Sequence, residues 1–457
     1  MRLTATLLAA AACLTACAKQ NGTAGAHPAV APNGGGATAS ATTTQVPLSV
    51  PRANAAPPLN VPHALTIPSG WHAEAWARVG DARFMAWTPQ HRLLVSAPSY
   101  GSVVALTPGR GMSAPRAKVL IGGLTEPQGL AFDTLKGKRV LYVAESNQID
   151  RYLWRANGTV GSRRVLVRGL PDTDPSGDDV HRLKSIAVGH DHTIYVTAGS
   201  ASNASPDPPG EKLPRASILA FRADGSHGRV FASGVRNGEG LAFAPDGTLW
   251  TAVNQRDEVP YPFHGPYEGH AEAFGQTIDN YVGEHPPDEV ARLTAGRNLG
   301  WPYCNPDPDV TPGSATTAFQ LANMPFTPDA RTNPGEAPLK CGTLPRIERG
   351  LPAHSAPLGF HFLRGSAMGA PWSGGAVVAT HGSWDRTPPR APAVLWMPWE
   401  RKARTLGGAI VLIGGFQEAS GRRWGRPADV VAGPDGSLYV SDDTAGAVYR
   451  IGPRVAG

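Results

Sequence analysis

A unit of apolar strand, tight turn and second apolar strand recurs along this chain, and that repeat constrains the fold more than any other feature. One copy is Gly240-Leu241-Ala242-Phe243-Ala244-Pro245-Asp246-Gly247-Thr248-Leu249-Trp250. A near copy is Val430-Val431-Ala432-Gly433-Pro434-Asp435-Gly436-Ser437-Leu438-Tyr439-Val440. Weaker copies begin near Met85, Gly129 and Ser185, and a sixth is split between Leu358–Phe362 and Ala376–Ala379. Asp-Gly tolerates the positive φ that a tight hairpin requires. The strands are near-continuous apolar runs, which suits strands buried on both faces between stacked sheets. A third strand often follows, as in Ser217–Phe221 and Gly446–Arg450. Repetition at roughly 45–60 residues predicts an all-β chain, a six-bladed β-propeller. A β-sandwich is the alternative, whereas continuous amphipathic helical patterns are scarce. The 54 glycines and 44 prolines fit many turns between short strands. The gap between the fourth and fifth copies is longer. Residues from Asn254 to Pro345, rich in Pro, Gly and His, read as a loop insertion between blades four and five, on the face where propeller ligands bind.

The N-terminus sets the expected compartment. Arg2 precedes an apolar run, Leu7–Leu14, that is too short to span a bilayer and reads as a secretory signal. Leu14-Thr15-Ala16-Cys17 resembles a bacterial lipobox, in which residues 1–16 are removed and the Cys17 thiol is acylated. The plainer reading is an ordinary signal cut nearby, with Cys17 incidental. Ala18 after the cysteine is similar to the pattern sent to the outer membrane, so the expected location is the cell envelope, facing the periplasm. Residues 17–60 are rich in Ala, Gly, Thr and Pro and poor in large apolar side chains, which predicts a disordered tether. Residues 61–457 form the expected propeller, and the lipid is the only expected membrane contact. Cys304 and Cys341 remain as an even pair in an oxidising compartment, and a disulfide stapling the insertion is expected. Whether their Cβ atoms approach closely enough is not legible in sequence. The net charge of +6 carries no long Lys/Arg run and no basic helix, so it reads as a solvated surface or a site for an anionic ligand, with no nucleic-acid partner.

Five segments in order carry a family resemblance. His181-Arg182-Leu183-Lys184-Ser185-Ile186-Ala187-Val188-Gly189, with Ile194–Gly199, resembles the catalytic-base blade of soluble glucose dehydrogenases that use pyrroloquinoline quinone (PQQ). Gly234-Val235-Arg236-Asn237-Gly238-Glu239-Gly240-Leu241 is similar to their Arg-Asn-x-x-Gly-Leu blade. Gly300-Trp301-Pro302-Tyr303, after Asp288-Glu289-Val290, resembles their calcium-loop region. His381-Gly382-Ser383-Trp384-Asp385-Arg386 and Gly425-Arg426-Pro427-Ala428-Asp429-Val430 resemble the sorbosone dehydrogenase branch.

The resemblance, over roughly residues 65 to 455, implies oxidation of a sugar hydroxyl or aldehyde, with electrons passing from PQQ to a respiratory acceptor. It makes His181 the general base, suited by an imidazole pKa near working pH. It makes Arg236, Asn237 and Arg426 cofactor contacts, the arginines holding carboxylates or polarising a quinone oxygen, with Trp384 and Arg386 flanking the cofactor. Lys184 is read as structural or peripheral. The calcium-binding carbonyls would be those of Gly283 and Glu284, counted back from Asp288-Glu289. Asp257, in Asn254-Gln255-Arg256-Asp257, is a substrate contact or carboxylate ligand. Val180 and Ala428 depart from the glucose enzymes, which have Asp and Arg there, and this argues against glucose itself. His264, His270 and His285 are too widely spaced for a zinc site and read as exposed loop residues. Two other functions fit the same fold: a non-catalytic, envelope-anchored binding propeller, and a calcium-dependent lactonase-like hydrolase.

Overall fold

A computed structural model of the chain describes residues 42–453 apart from 110–113, 174–180, 207–210, 309–321 and 364–367. Cys17, the signal segment, Val180 and most of the expected tether lie outside the described residues.

The repeat units fold into six antiparallel sheets. The first blade is Met85–Trp87, Leu93–Ala97, Ser102–Thr107 and Arg116–Ile121; the second runs from Gly129–Leu135 to Val160–Arg168. The third holds Ile186–Val188, Ile194–Ala198, Ser217–Phe221 and Arg229–Ser233, and the fourth Gly240–Phe243, Leu249–Val253, Asp288–Leu293 and Ile347–Leu351. The fifth holds Pro357–Phe362, Ala376–Thr380, Ala393–Met397 and Ile410–Ile413. The sixth takes three strands from the C-terminal end, Pro427–Ala432, Leu438–Asp442 and Ala447–Pro453. Its outer strand, Trp71–Arg78, comes from before the first blade, with Trp71 opposite Pro453 and Arg78 opposite Ala447. The innermost strands contact one another in sequence and the sixth returns to the first, so the ring is closed and no sheet is left with an open seam.

Local chemistry explains the repeat. Gly247 and Gly436 have φ of +82° and +79°, as the Asp-Gly turns require. Asp246 Oδ1 accepts hydrogen bonds from the Thr248 amide (3.0 Å) and hydroxyl (2.6 Å), fixing the turn. Apolar side chains from facing sheets form the layers between blades; Trp250, fully buried, packs with Ala376, Val378 and Leu395 of the fifth blade. At the crowded inner ring, a Cβ on Gly240 would lie 2.5 Å from Phe360 Cβ, so only glycine lets these two strands meet.

Two expectations change. The long insertion is threaded through the fourth blade, between its second and third strands and again between its third and fourth, instead of lying between blades four and five. The unstructured segment expected up to residue 60 does not hold over 42–60. Thr43–Pro47 pairs antiparallel with Ala64–Pro68, Leu48 and Leu59 are buried, and the Asn54 amide donates to Ala75 O at 2.7 Å. Within the insertion, Cys304 and Cys341 form the expected disulfide, with Cα atoms 5.7 Å apart.

Candidate active site

Because neighbouring strands are antiparallel, each first strand begins and each second strand ends at the same end of the ring. His181, Arg236, His354 and Arg426 precede first strands; Ser200, Asn254, His381 and Asp443 follow second strands. The topology therefore gathers residues from distant parts of the sequence at one rim.

His181 is half-buried. Its Nδ1 lies 3.0 Å from Ser200 O and 3.1 Å from Ser200 Oγ. A carbonyl oxygen can only accept, so Nδ1 carries the proton and Nε2 keeps a lone pair. Burial, then the nearby Arg236 charge, pushes its pKa down to about 3, so the ring is neutral at pH 7. Lys184, fully buried, donates to Arg182 O and belongs to the scaffold, as expected.

Arg236 is held differently from its expected role. Nε donates to Asn203 O (3.0 Å), Nη2 to Asn203 Oδ1 (2.9 Å), and Nη1 to Gln255 O (2.8 Å) and Asn254 O (3.2 Å). Its guanidinium thus ties together the loops that carry Asn203 and Asp257, with one Nη2 hydrogen left for Asp257, 3.8 Å away. Burial lowers its pKa to about 10, which leaves it charged. Arg236 supplies field and architecture; bidentate capture of a ligand carboxylate is not available without breaking these bonds. Asn237, also buried, approaches Glu239 Oε1 at 3.5 Å.

At the same end of the ring, residues of five blades meet in a polar network that the sequence reading missed. Arg83 donates to Gln128 Oε1 (3.0 Å), Glu239 Oε2 (2.9 Å) and Asp443 Oδ2 (2.8 Å), and Gln128 donates to Glu239 (3.2 Å). His381 Nε2 lies 2.9 Å from Asp443 Oδ1. Burial opposes the charge on Arg83, but Glu239 and Asp443 hold it protonated.

Arg426 offers what Arg236 does not. Nε donates to His381 O at 2.8 Å, and the guanidinium lies 5.0 Å from the ring centre of Trp384, which is 79% exposed. Burial, with Arg423 nearby, lowers the Arg426 pKa to about 10. Among the described residues its Nη groups make one further hydrogen bond, a long contact with Gly382 O (3.5 Å). Trp384 is therefore a rim residue and not a buried wedge.

Asp257 lies on a neighbouring loop, its side chain 41% exposed. Its Oδ1 meets His354 Nδ1 at 3.2 Å, while His354 Nε2 meets Val282 O at 2.7 Å. Two acceptors on one imidazole require both nitrogens to carry hydrogen, so His354 is a cation; burial opposes this, and Asp257, Val282 O and Asp288 overcome it. Asp385 Oδ2 accepts from the Glu258 amide at 2.8 Å and joins the Trp384 loop to the Asp257 loop.

The expected calcium segment does not fit a dication. Arg386 donates through Nε to Gly283 O (3.1 Å) and through Nη2 to Glu284 Oε1 (2.7 Å), while Arg390 reaches Glu284 Oε2 at 3.3 Å. The Gly283 carbonyl and the Glu284 carboxylate thus face two guanidinium groups, a field that repels Ca²⁺. Asp288 is likewise occupied: its oxygens accept from the amides of Gln255 (2.8 Å) and Ala356 (2.9 Å). Among the described residues no group of three His, Cys, Asp or Glu is arranged to hold a metal. His264 and His270 are exposed as expected, but His285 is buried against Tyr281, with Asp307 3.4 Å from its Nε2.

Known proteins share this architecture. The chain is 24% identical over 416 residues to a pyrroloquinoline quinone-dependent pyranose dehydrogenase of Coprinopsis cinerea, covering 75% of this chain and 54% of that one. It spans less than two thirds of the length of the curated relatives it matches, 62% and 54%. The holo PQQ domain of pyranose dehydrogenase from Coprinopsis cinerea superposes with a TM-score of 0.67 at 20% identity, covering 89% of this chain and 98% of that domain. The calcium structure of a Trichoderma reesei carbohydrate-active enzyme of family AA12 gives 0.67 at 19%, covering 85% and 97%. A family model described as TrAA12-like matches residues 65–454, nearly the whole propeller, and the chain belongs to that family.

Proposed function

We propose that this chain is a PQQ-dependent sugar dehydrogenase. The carrying observation is the rim itself: a neutral imidazole whose Nε2 has no hydrogen-bond partner among the described residues stands near buried positive charges, at one rim of a TrAA12-like propeller. PQQ is an anionic quinone, and when bound it would accept the hydride from the sugar carbon. Arg426, with Arg423 behind it, is placed to hold a ligand carboxylate, and Arg236 adds its field from below. His181 Nε2 takes the hydroxyl proton as the hydride leaves, and Ser200 locks the tautomer that makes this possible. An anion beside Arg236 and Arg426 offsets the charge that depresses His181, which raises its basicity when cofactor is present. Asp257, steadied by His354, accepts from a sugar hydroxyl, and Trp384 offers an exposed face at the rim.

The TrAA12-like relatives support a pyranose or related aldose as substrate, without distinguishing sorbosone from glucose. Calcium comes to this reading only through the likeness to the Trichoderma structure. The Gly283–Glu284 segment does not support it there, and no step depends on it. The lipobox-like Cys17 supports export, anchoring in the cell envelope and delivery of electrons to a respiratory acceptor. The test is dye reduction by the PQQ-loaded protein with a panel of pyranoses and sorbosone. Sugar-dependent reduction is expected; PQQ that binds while no sugar reduces the dye would overturn the catalytic reading.

A further inference from the structure

His381 lies two blades from His181 on the same rim, and the roles above leave it unused. It resembles His181 in one respect: burial, reinforced by Arg426 and Arg83, disfavours its charged form against the pull of Asp443. Its orientation is opposite. The Asp443 carboxylate, held ionised by His381 and Arg83 although burial opposes it, faces Nε2 at 2.9 Å. An ionised carboxylate can only accept, so Nε2 carries the proton and Nδ1 keeps the lone pair. Among the described residues nothing bonds Nδ1, and the side chain is 15% exposed. The backbone is fixed on both sides: the His381 amide donates to Ala356 O (2.9 Å), and its carbonyl accepts from Arg426 (2.8 Å). The charged groups facing this imidazole are Asp443, Arg83 and Arg426, from the sixth-blade loop, the loop before the first blade and the start of the sixth blade. Arg426, bonded to the His381 carbonyl, lies 5.0 Å from the ring of Trp384, which is exposed to solvent.

We propose that His381, oriented by Asp443, is a second proton acceptor of this site, serving the half-reaction in which the reduced cofactor returns its electrons. This rests on the PQQ reading. Oxidation of one sugar hydroxyl leaves two electrons and one proton on the cofactor, as hydride, and one proton on His181. Two one-electron acceptors later remove the two electrons, and the protons must leave with them. With the reduced cofactor bound, His381 Nδ1 would take the proton of a cofactor O–H group and then release it to solvent. Two imidazoles thereby divide the work: His181 inward, on the sugar, and His381 outward, on the return of charge.

The half-reactions are measured separately by stopped flow, in the wild type, in His381→Asn and in His381→Ala. Both variants are expected to bind PQQ within about threefold of wild type and to be reduced by sugar at a similar rate. Their reoxidation by a one-electron dye is expected to slow about 100-fold, and added imidazole to restore part of it in His381→Ala. Reoxidation at the wild-type rate overturns the proposal, as does a parallel loss of PQQ affinity and both rates, which would mark a mere cofactor contact. Imidazole nitrogen NMR of labelled histidine, on the cofactor-free protein, gives an independent reading. An unprotonated Nδ1 at pH 7 that becomes protonated in Asp443→Asn is expected. A protonated Nδ1 in the wild type would sink the proposal even if PQQ never binds, whereas absent PQQ binding with the expected tautomer would count against the functional reading alone.

Discussion

The rim has two halves built from the same residue types. On the side of blades three and four, His181 is paired with a backbone carbonyl and Arg236 is locked by four bonds to loop oxygens. On the side of blades five and six, His381 is paired with a carboxylate, and Arg426 has one strong backbone bond, one long one and a tryptophan ring beside it. The difference teaches that residue type in a motif does not settle role. Availability does, and availability depends on which oxygens the rest of the fold brings near. An arginine whose donors are all used shapes a site; one with donors to spare can bind a ligand.

Removing the base should have the largest effect. His181→Asn should lower sugar-driven reduction of the cofactor about 1000-fold while PQQ still binds, which stopped-flow and a fluorescence titration would show. The comparison breaks if binding is lost as well, since His181 would then be a cofactor anchor.

Next comes Arg236→Ala, which strands the oxygens of Asn203, Asn254 and Gln255 in a buried setting. We expect about 3 kcal/mol of lost stability in denaturant unfolding, with cofactor affinity falling as a consequence. Arg426→Ala should do the reverse. PQQ affinity should fall about 30-fold, a loss of about 2 kcal/mol, with little change in the unfolding midpoint. Equal effects of the two substitutions on stability would erase the distinction between the halves.

The smallest effect concerns His354. Its folded pKa lies above the ordinary value, so the protonated form favours the fold. That contribution is complete below about pH 6.5 and is lost as pH rises through the folded value. Stability measured from pH 6 to 9 should therefore decline by up to about 1 kcal/mol more in wild type than in His354→Gln. Parallel curves would show that His354 is not a cation.

Much of this was legible in sequence. Asp246-Gly247 and Asp435-Gly436 announced hairpins because their side chains and φ values act locally. His181, Arg236 and Arg426 stood in motifs that the sequence displays, and each precedes the first strand of a blade. The polar network was not legible: Arg83 and Asp443 are 360 positions apart, and neither stands in a motif. Counting back from Asp288 located Gly283 but could not show Arg386, 103 residues away, closing on its carbonyl. Residues 42–60 looked unstructured by composition, yet a backbone pairing and two buried leucines, Leu48 and Leu59, are enough to order them when a finished propeller edge is present. The fourth-blade insertion misled for a related reason. Two short strands, Asp288–Leu293 and Ile347–Leu351, are separated by a long loop, and spacing does not reveal that both return to one sheet.

The account stands on the claim that this rim receives a flat anionic quinone. Direct titration of PQQ into the purified chain, followed by quenching of tryptophan fluorescence and by calorimetry, tests that claim before any catalysis is asked for. Saturable binding at one site, with a Kd of about 1 µM or tighter and weakened by Arg426→Ala, is the predicted result. No saturable binding up to about 100 µM, or binding indifferent to Arg426→Ala, would contradict it.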